Sequence, residues 1–188
     1  MQEQEAISRL KQGDIGGLEE LVRRHQNEAV RAAYLIVRDL ATAEDVVSHA
    51  FLKVRDKIVQ FDDSRPFRPW FMRIVVNDAV KAATRSSREV SMDRELAMAE
   101  SALASVASDG LGPEDEAVRE ESRRAIWAAL GEMPAEQRAA VVMKYYLELK
   151  ETEIAARMER PQGTVKWLLH QARKRLRPAL APLRGDGD

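Results

Sequence analysis

Apolar residues recur along this chain at intervals of three and four, and that spacing makes an all-α protein the fold to expect. Strand-like alternation is nearly absent, and helix breakers are few, with 9 glycines and 7 prolines in 188 residues. Over 17–37 the set Leu18, Leu21, Val22, Ala29, Ala33, Ile36 and Val37 lines one face of a helix. A second helix is expected from about Thr42, with Thr42 as its N-cap and Glu44 and Asp45 in the first turn. Its buried stripe is Val46, Val47, Ala50, Phe51, Val54 and Ile58. The stretch 61–69 breaks the pattern, and Pro69 suits the first turn of a helix from Trp70 to about Arg85.

Residues 86–115 differ in character. Ser-Ser, Asp-Gly and Gly-Pro breakers are mixed with alanines and with the acids Glu89, Asp93, Glu95, Glu100, Asp109, Glu114 and Asp115, which together read as a linker. Met92, Leu96, Ala99, Leu103 and Val106 keep helical spacing, so a short helix is expected inside it. Beyond it, helices are expected over 116–130, from Pro134 to about Tyr146, over 151–158, and from Pro161 to about Arg177. The organisation expected is two small helical domains, 1–88 and 116–188, joined by a flexible acidic linker over 89–115.

Composition removes several function classes. The chain has no cysteine, which excludes disulfides, thiolate zinc sites and a thiol nucleophile, and suits a reducing cytoplasm. Its longest apolar run, 32–37, is too short to span a bilayer, and the acidic start Met1–Glu5 does not read as a secretory signal. A cytoplasmic protein with no membrane insertion is expected. His25, His49 and His170 fall in three different helices without ligand spacing. Neither a phosphate-binding glycine loop nor a nucleophile motif is apparent, so no catalytic residue, metal or cofactor is expected.

The net charge of −1 hides segregation along the chain. A short helix, a tight turn and a longer helix over 152–169 form a helix-turn-helix plan, packed through Ile154, Ala155, Met158, Val165, Leu168 or Leu169, and Leu176. Gln162, Thr164, Lys166, Arg173, Lys174, Arg175 and Arg177 are expected to face outward, with no acid between Pro161 and Leu183. Such a face suits duplex phosphates. A second basic segment carries Arg65, Arg68, Arg73, Lys81, Arg85 and Arg88, with Asp78 as the lone acid of its helix and Phe67, Trp70 and Phe71 interleaved. Cations and rings together suit single-stranded nucleic acid, although Trp70 and Phe71 at a helix start serve equally well as core. A third, mixed-charge face is Glu44, Asp45, Ser48, His49, Arg55 and Asp56, suited to a protein partner or simply to solvent.

In order and spacing, these segments resemble one family. Residues 43–54 (AEDVVSHAFLKV) resemble the region-two helix of bacterial sigma factors, and 67–77 (FRPWFMRIVVN) the promoter-melting segment after it. Met133 to Arg138, Glu153 to Ala155, Gly163 to Lys166 and His170 to Lys174 resemble region four. The size resembles the extracytoplasmic-function (ECF) group. The resemblance implies a region-two-like bundle and a region-four-like helix-turn-helix domain, in a factor that carries core RNA polymerase to promoters and helps melt them. It implies core polymerase, through its beta-prime clamp helices and beta flap, as a partner of Glu44, Asp45, Ser48, His49 and Leu52. Promoter DNA is the other partner. Melted single strand of the minus-ten element falls to Asp62, Ser64, Arg65, Phe67, Trp70, Arg73, Asn77 and Lys81. Duplex at the minus-thirty-five element falls to Gln162, Gly163, Thr164, Lys166, Trp167, His170, Arg173 and Lys174. An anti-sigma factor is a further partner the resemblance admits.

Some positions depart from the family pattern. Ser48 and His49 stand where a Gln-Glu pair is usual, and Glu148 and Lys150 where a glycine and a serine N-cap are common. Trp167, Leu168 and Gln171 replace small or basic residues, so fewer charges are expected to face the groove. Trp167 is expected to pack on the preceding helices or to meet a protein partner rather than to stack on a sugar edge. A DNA-binding regulator without polymerase, and an interaction module that kept the fold alone, are the alternatives.

Overall fold

The computed structural model describes residues 3–85 and 113–181, the side chains of 113–121 excepted, and every regular element among them is helical. The chain divides into two units, Met1–Arg85 and Ser86–Asp188. The expected linker lies outside the described residues as far as 112, as does the helix expected within it.

The first unit holds α1 (Glu3–Lys11), α2 (Gly16–Val37), α3 (Leu40–Lys57), a 3-10 turn (Ile58–Gln60) and α4 (Phe67–Arg85). Helices α2, α3 and α4 pack against one another, and α1 lies on α2. Between them Leu21, Ala29, Ala33 and Ile36 meet Val47, Ala50, Phe51 and Val54, with Phe71, Val75, Val76 and Ala79 from α4, all buried. Burying each large side chain stabilises the unit by about 1.5–3 kcal/mol. The stripe predicted for α3 is buried throughout, and that of α2 contributes Leu21, Ala29, Ala33 and Ile36, while Leu18, Val22 and Val37 are half-buried.

Helix ends follow local chemistry. Arg38 closes α2 in the left-handed region, φ 64°, donating its N–H to the Tyr34 carbonyl. Asp39, not Thr42, caps α3: its carboxylate accepts the Thr42 N–H at 2.8 Å. The expected cap is thus a recipient of capping, three residues inside, because Asp39 follows the helix break directly and accepts better than a hydroxyl.

Apolar spacing predicts no helix before Gly17, yet α1 is present and buries Ala6, Ile7 and Leu10. Its turn into α2 is fixed by Asp14, which accepts from Arg9 Nε at 2.7 Å and from the Gly16 N–H at 2.9 Å. The Arg9 bond first, and the Gly16 bond second, hold the Asp14 carboxyl below its ordinary range. Gly17 permits the close approach of the two helices: a Cβ there would sit 2.3 Å from the Ala6 carbonyl oxygen. One turn on, the buried carboxylate of Glu20 is satisfied by Arg24 Nε at 2.6 Å and by Arg23.

The second unit holds α5 (Pro113–Gly131), α6 (Ala135–Val141), a π turn (Val142–Tyr146), α7 (Glu151–Met158) and α8 (Gln162–Leu180). Helix α8 packs against α5, α6 and α7. Its core contains Trp127, Leu130, Met143, Leu147, Ile154, Val165, Leu169 and Ala172. Arg138 is buried as well and donates to the Met133 carbonyl at 2.5 Å, tying down the turn between α5 and α6.

Candidate nucleic-acid interface

In the second unit the turn between α7 and α8 is Glu159-Arg160-Pro161. Glu159 takes the left-handed conformation, φ 54°, and its N–H closes α7 on the Ala155 carbonyl. Pro161 then starts α8 by accepting the N–H groups of Thr164 at 2.9 Å and Val165 at 3.2 Å. Arg160 bonds Glu136 at 2.7 Å, which holds the turn to α6 and raises the guanidinium pKa above its ordinary value. A helix-turn-helix results, with Ile154, Val165, Leu168, Leu169 and Leu176 buried and Ala155 and Met158 half-buried.

Gln162, Gly163, Lys166, Trp167, His170, Arg173, Lys174 and Arg177 are exposed, and by their spacing they share one face of α8. Thr164 is half-buried at the edge of that face. Arg175 lies on the opposite side and donates to the Glu132 carbonyl at 2.8 Å, so it fastens α8 to the end of α5 and leaves the outward set. Of the two roles expected for Trp167, packing is ruled out, since the ring is 58% exposed on the basic face. Leu168, 6% exposed, belongs to the core as the packing set allowed, so it removes no charge from the outer face.

In the first unit α4 carries Trp70, Arg73, Asn77 and Lys81 at offsets of three and four, which places them in one stripe. Arg73 and Lys81 are exposed, while Trp70 and Asn77 are half-buried. Asp78 is neutralised by Lys53 of α3 at 2.7 Å, so the one acid of α4 adds little negative potential. Arg68 is engaged by both oxygens of the Glu28 carboxylate and is partly withdrawn from the basic set.

The rings divide between packing and surface. Phe67, named above for a melted strand, is 1% exposed and has no free face. It stacks on Phe71 at 5.7 Å, meets the edge of Phe61 at 5.8 Å, and touches His25 at 5.3 Å. Phe67 and Phe71 thus fill the base of the surface, and Trp70, resting on Phe61 at 4.9 Å, is the ring with accessible area. Above them the turn 62–66 leaves Asp62, Ser64 and Arg65 exposed. Asp62 accepts from the Ser64 N–H at 3.0 Å and the Ser64 hydroxyl at 2.7 Å, an Asx turn. The hydroxyl first, and the amide next, hold the Asp62 carboxyl below its usual range.

On α3, Glu44, Asp45, Ser48, His49 and Leu52 are all exposed and form one continuous face. Leu52 is 45% exposed, an apolar point in a polar surround. His49 Nδ1 bonds the Asp45 carbonyl oxygen at 2.8 Å, not a carboxylate. Beside this face a groove of about 340 Å³ opens between α2 and α3, lined by Val22, Gln26, Val30, Glu44, Val47, Ser48 and Phe51. Among the described residues no cluster of histidine and carboxylates could hold a metal ion, and no helix is long and apolar enough to cross a membrane.

Two family models match: sigma-70 region 2 over residues 21–89 and sigma-70 region 4 over residues 123–176. The chain is 29% identical to the ECF RNA polymerase sigma factor SigW of Bacillus subtilis, over 94% of this chain and 96% of that one. It is also 29% identical to the ECF RNA polymerase sigma-E factor of Escherichia coli, over 96% and 95%. Its fold is similar to that of CnrH in complex with the cytosolic domain of CnrY, with a TM-score of 0.61 at 22% identity over 98% of this chain and 99% of that one.

Proposed function

The chain belongs to the sigma-70 family, in its extracytoplasmic-function group, and on that premise we propose how its surfaces divide the work of starting transcription. It binds core RNA polymerase, directs it to specific promoters and promotes DNA melting there. It is an initiation factor, and RNA synthesis is the polymerase's chemistry.

The α3 face from Glu44 to Leu52 docks on the polymerase, with Leu52 as its apolar anchor inside a charged rim. The turn 62–66 and the α4 stripe Trp70, Arg73, Asn77 and Lys81 receive the melted strand: the cations follow phosphates and Trp70 stacks on an unpaired base. Trapping extruded bases offsets the few kcal/mol that each costs to unstack. The exposed face of α8 lies in the major groove of upstream duplex, held by Lys166, Arg173, Lys174 and Arg177 and reading bases with its first turn.

The observation that carries this reading is the pairing, in one chain and in family order, of a ring-and-cation stripe with a helix-turn-helix whose second helix, α8, carries no acid. Run-off transcription by core polymerase on a promoter library tests it. Promoter-specific transcripts that depend on the chain are expected. DNA binding without polymerase would point instead to a regulator, and polymerase binding without transcripts to an interaction module.

A further inference from the structure

The turn 62–66 is ordered from two directions. From within, the Asx turn of Asp62 and Ser64 is joined by the Arg65 N–H on the Asp62 carbonyl at 3.0 Å and by Arg65 Nε near the Asp62 carboxylate at 3.2 Å. From outside it is held by α1, an element with no assigned role. Lys11 Nζ donates to the Phe61 carbonyl and to the Asp63 carboxylate, both at 2.8 Å, and sits 5.9 Å from the centre of the Phe61 ring. Gln4 of the same helix reaches the Asp63 carbonyl at 3.5 Å. The contacts cross 50 to 59 residues of sequence, so no local turn preference accounts for them.

Two consequences follow. Lys11 fixes the carbonyl where the chain leaves the Phe61 ring, and hence the path of the turn over the aromatic base on which Trp70 rests. Charge is the other. Asp62 and Asp63 are adjacent carboxylates on a turn that faces a polyanion, where like charge repels. Arg65 offsets the first and Lys11 the second, leaving the turn near neutrality.

We propose that Lys11 is a positioning residue for base selection in the melted strand: it holds the turn 62–66 in the shape that receives an unpaired base. The proposal rests on the reading above that this turn meets the melted strand. Lys11 itself touches no DNA.

The test uses holoenzyme reconstituted with core polymerase and a pool of single-stranded DNA, randomised between fixed flanks and sequenced before and after capture. Wild-type holoenzyme is expected to enrich one base at the position that meets the turn. Lys11→Met, which keeps the stem and removes the donors, is expected to lower that enrichment about fivefold, the scale of one lost hydrogen bond. Other positions and polymerase affinity are expected to stay unchanged, and the thermal midpoint to fall by no more than the few degrees that one hydrogen bond is worth. Lys11→Arg restores the preference, and Asp63→Asn, at an exposed site where folding is not at risk, weakens it in the same direction. Equal losses at every position, or a lowered midpoint without a selective loss, would reduce Lys11 to a structural role and overturn the proposal. So would an unchanged preference in Lys11→Met and Asp63→Asn while Ser64→Ala and Arg65→Ala flatten it. If Ser64→Ala and Arg65→Ala also leave the preference intact, the reading of the turn itself fails, and the proposal with it.

Discussion

Replacing Gly17 by alanine tests how α1 is attached. The new Cβ would lie 2.3 Å from the Ala6 carbonyl oxygen and 2.7 Å from the Leu10 amide nitrogen, both backbone atoms that no rotamer change can move. An ordinary carbon–oxygen contact begins near about 3.3 Å, so α1 must retreat by roughly 1 Å. Overpacking of this kind costs about 1–3 kcal/mol. Alanine's better helix propensity returns less than about 1 kcal/mol, since Gly17 lies in the first turn of α2. The net expectation is a loss of about 1–2 kcal/mol, concentrated on α1. That helix buries only two large side chains, Ile7 and Leu10, each worth about 1.5–3 kcal/mol, so the clash is of the order of one of its anchors. Local opening of α1 should outrun unfolding of the unit. Hydrogen exchange by mass spectrometry separates the two events: amides of 3–12 are expected to exchange about tenfold faster for each 1.4 kcal/mol lost. Those of α3, residues 40–57, should keep wild-type rates. Unchanged protection over 3–12 would refute the close approach of α1 and α2.

Three other perturbations probe the remaining surfaces. Glu148 holds a φ of 55°, and Lys150 is the N-cap of α7 without an acceptor side chain. Its backbone N–H donates to Glu153 at 2.8 Å and its carbonyl accepts the Ile154 N–H at 3.0 Å. Glu148→Gly with Lys150→Ser is therefore expected to stabilise the start of α7 by about 1–2 kcal/mol, from relief of left-handed strain and a restored cap, read as slower exchange over 151–158. Trp167→Ala is expected to change unfolding by no more than about 0.5 kcal/mol, the range of surface sites, while weakening upstream duplex binding by holoenzyme. A core-sized loss of about 3–5 kcal/mol would mean the indole is packed after all. Asp62 has a lowered folded-state pKa. Its contribution to the turn is then complete above the unfolded value, near about 3.9, and disappears as pH falls through the lower folded value. Protection of the Ser64 and Arg65 amides should thus persist through mildly acidic buffer and fail only below the ordinary carboxylate range, and Asp62→Asn should remove that dependence.

Much of the fold was legible because helices α2, α3 and α8 carry long apolar stripes whose period leaves no other way to bury them. Helix α1 was not: its nine residues hold three apolar positions among two acids, two bases, a glutamine and a serine, and its order comes from contacts with α2 that lie outside any local window. The aromatic residues at the start of α4 were recognisable as a group, but their division was not. Phe67 and Phe71 turn inward and Trp70 partly outward because of where Phe61 and His25 sit, which only tertiary packing fixes. On α8 the basic face was readable from spacing, whereas Arg175 left it for a carbonyl 43 residues away. Trp167 ran against the usual burial of large rings. Its exposure places an indole among cations and is consistent with a role in contact rather than packing.

The division of labour among the surfaces is tested most directly by footprinting one holoenzyme–promoter complex two ways, with nuclease protection for upstream duplex and permanganate for unpaired thymines. Arg73→Ala with Lys81→Ala is expected to abolish permanganate reactivity while upstream protection remains. Lys166→Ala with Arg173→Ala is expected to erase upstream protection first. Loss of both signals together in each variant, or melting that survives the α4 changes, would contradict the assignment of strand capture to α4 and duplex binding to α8.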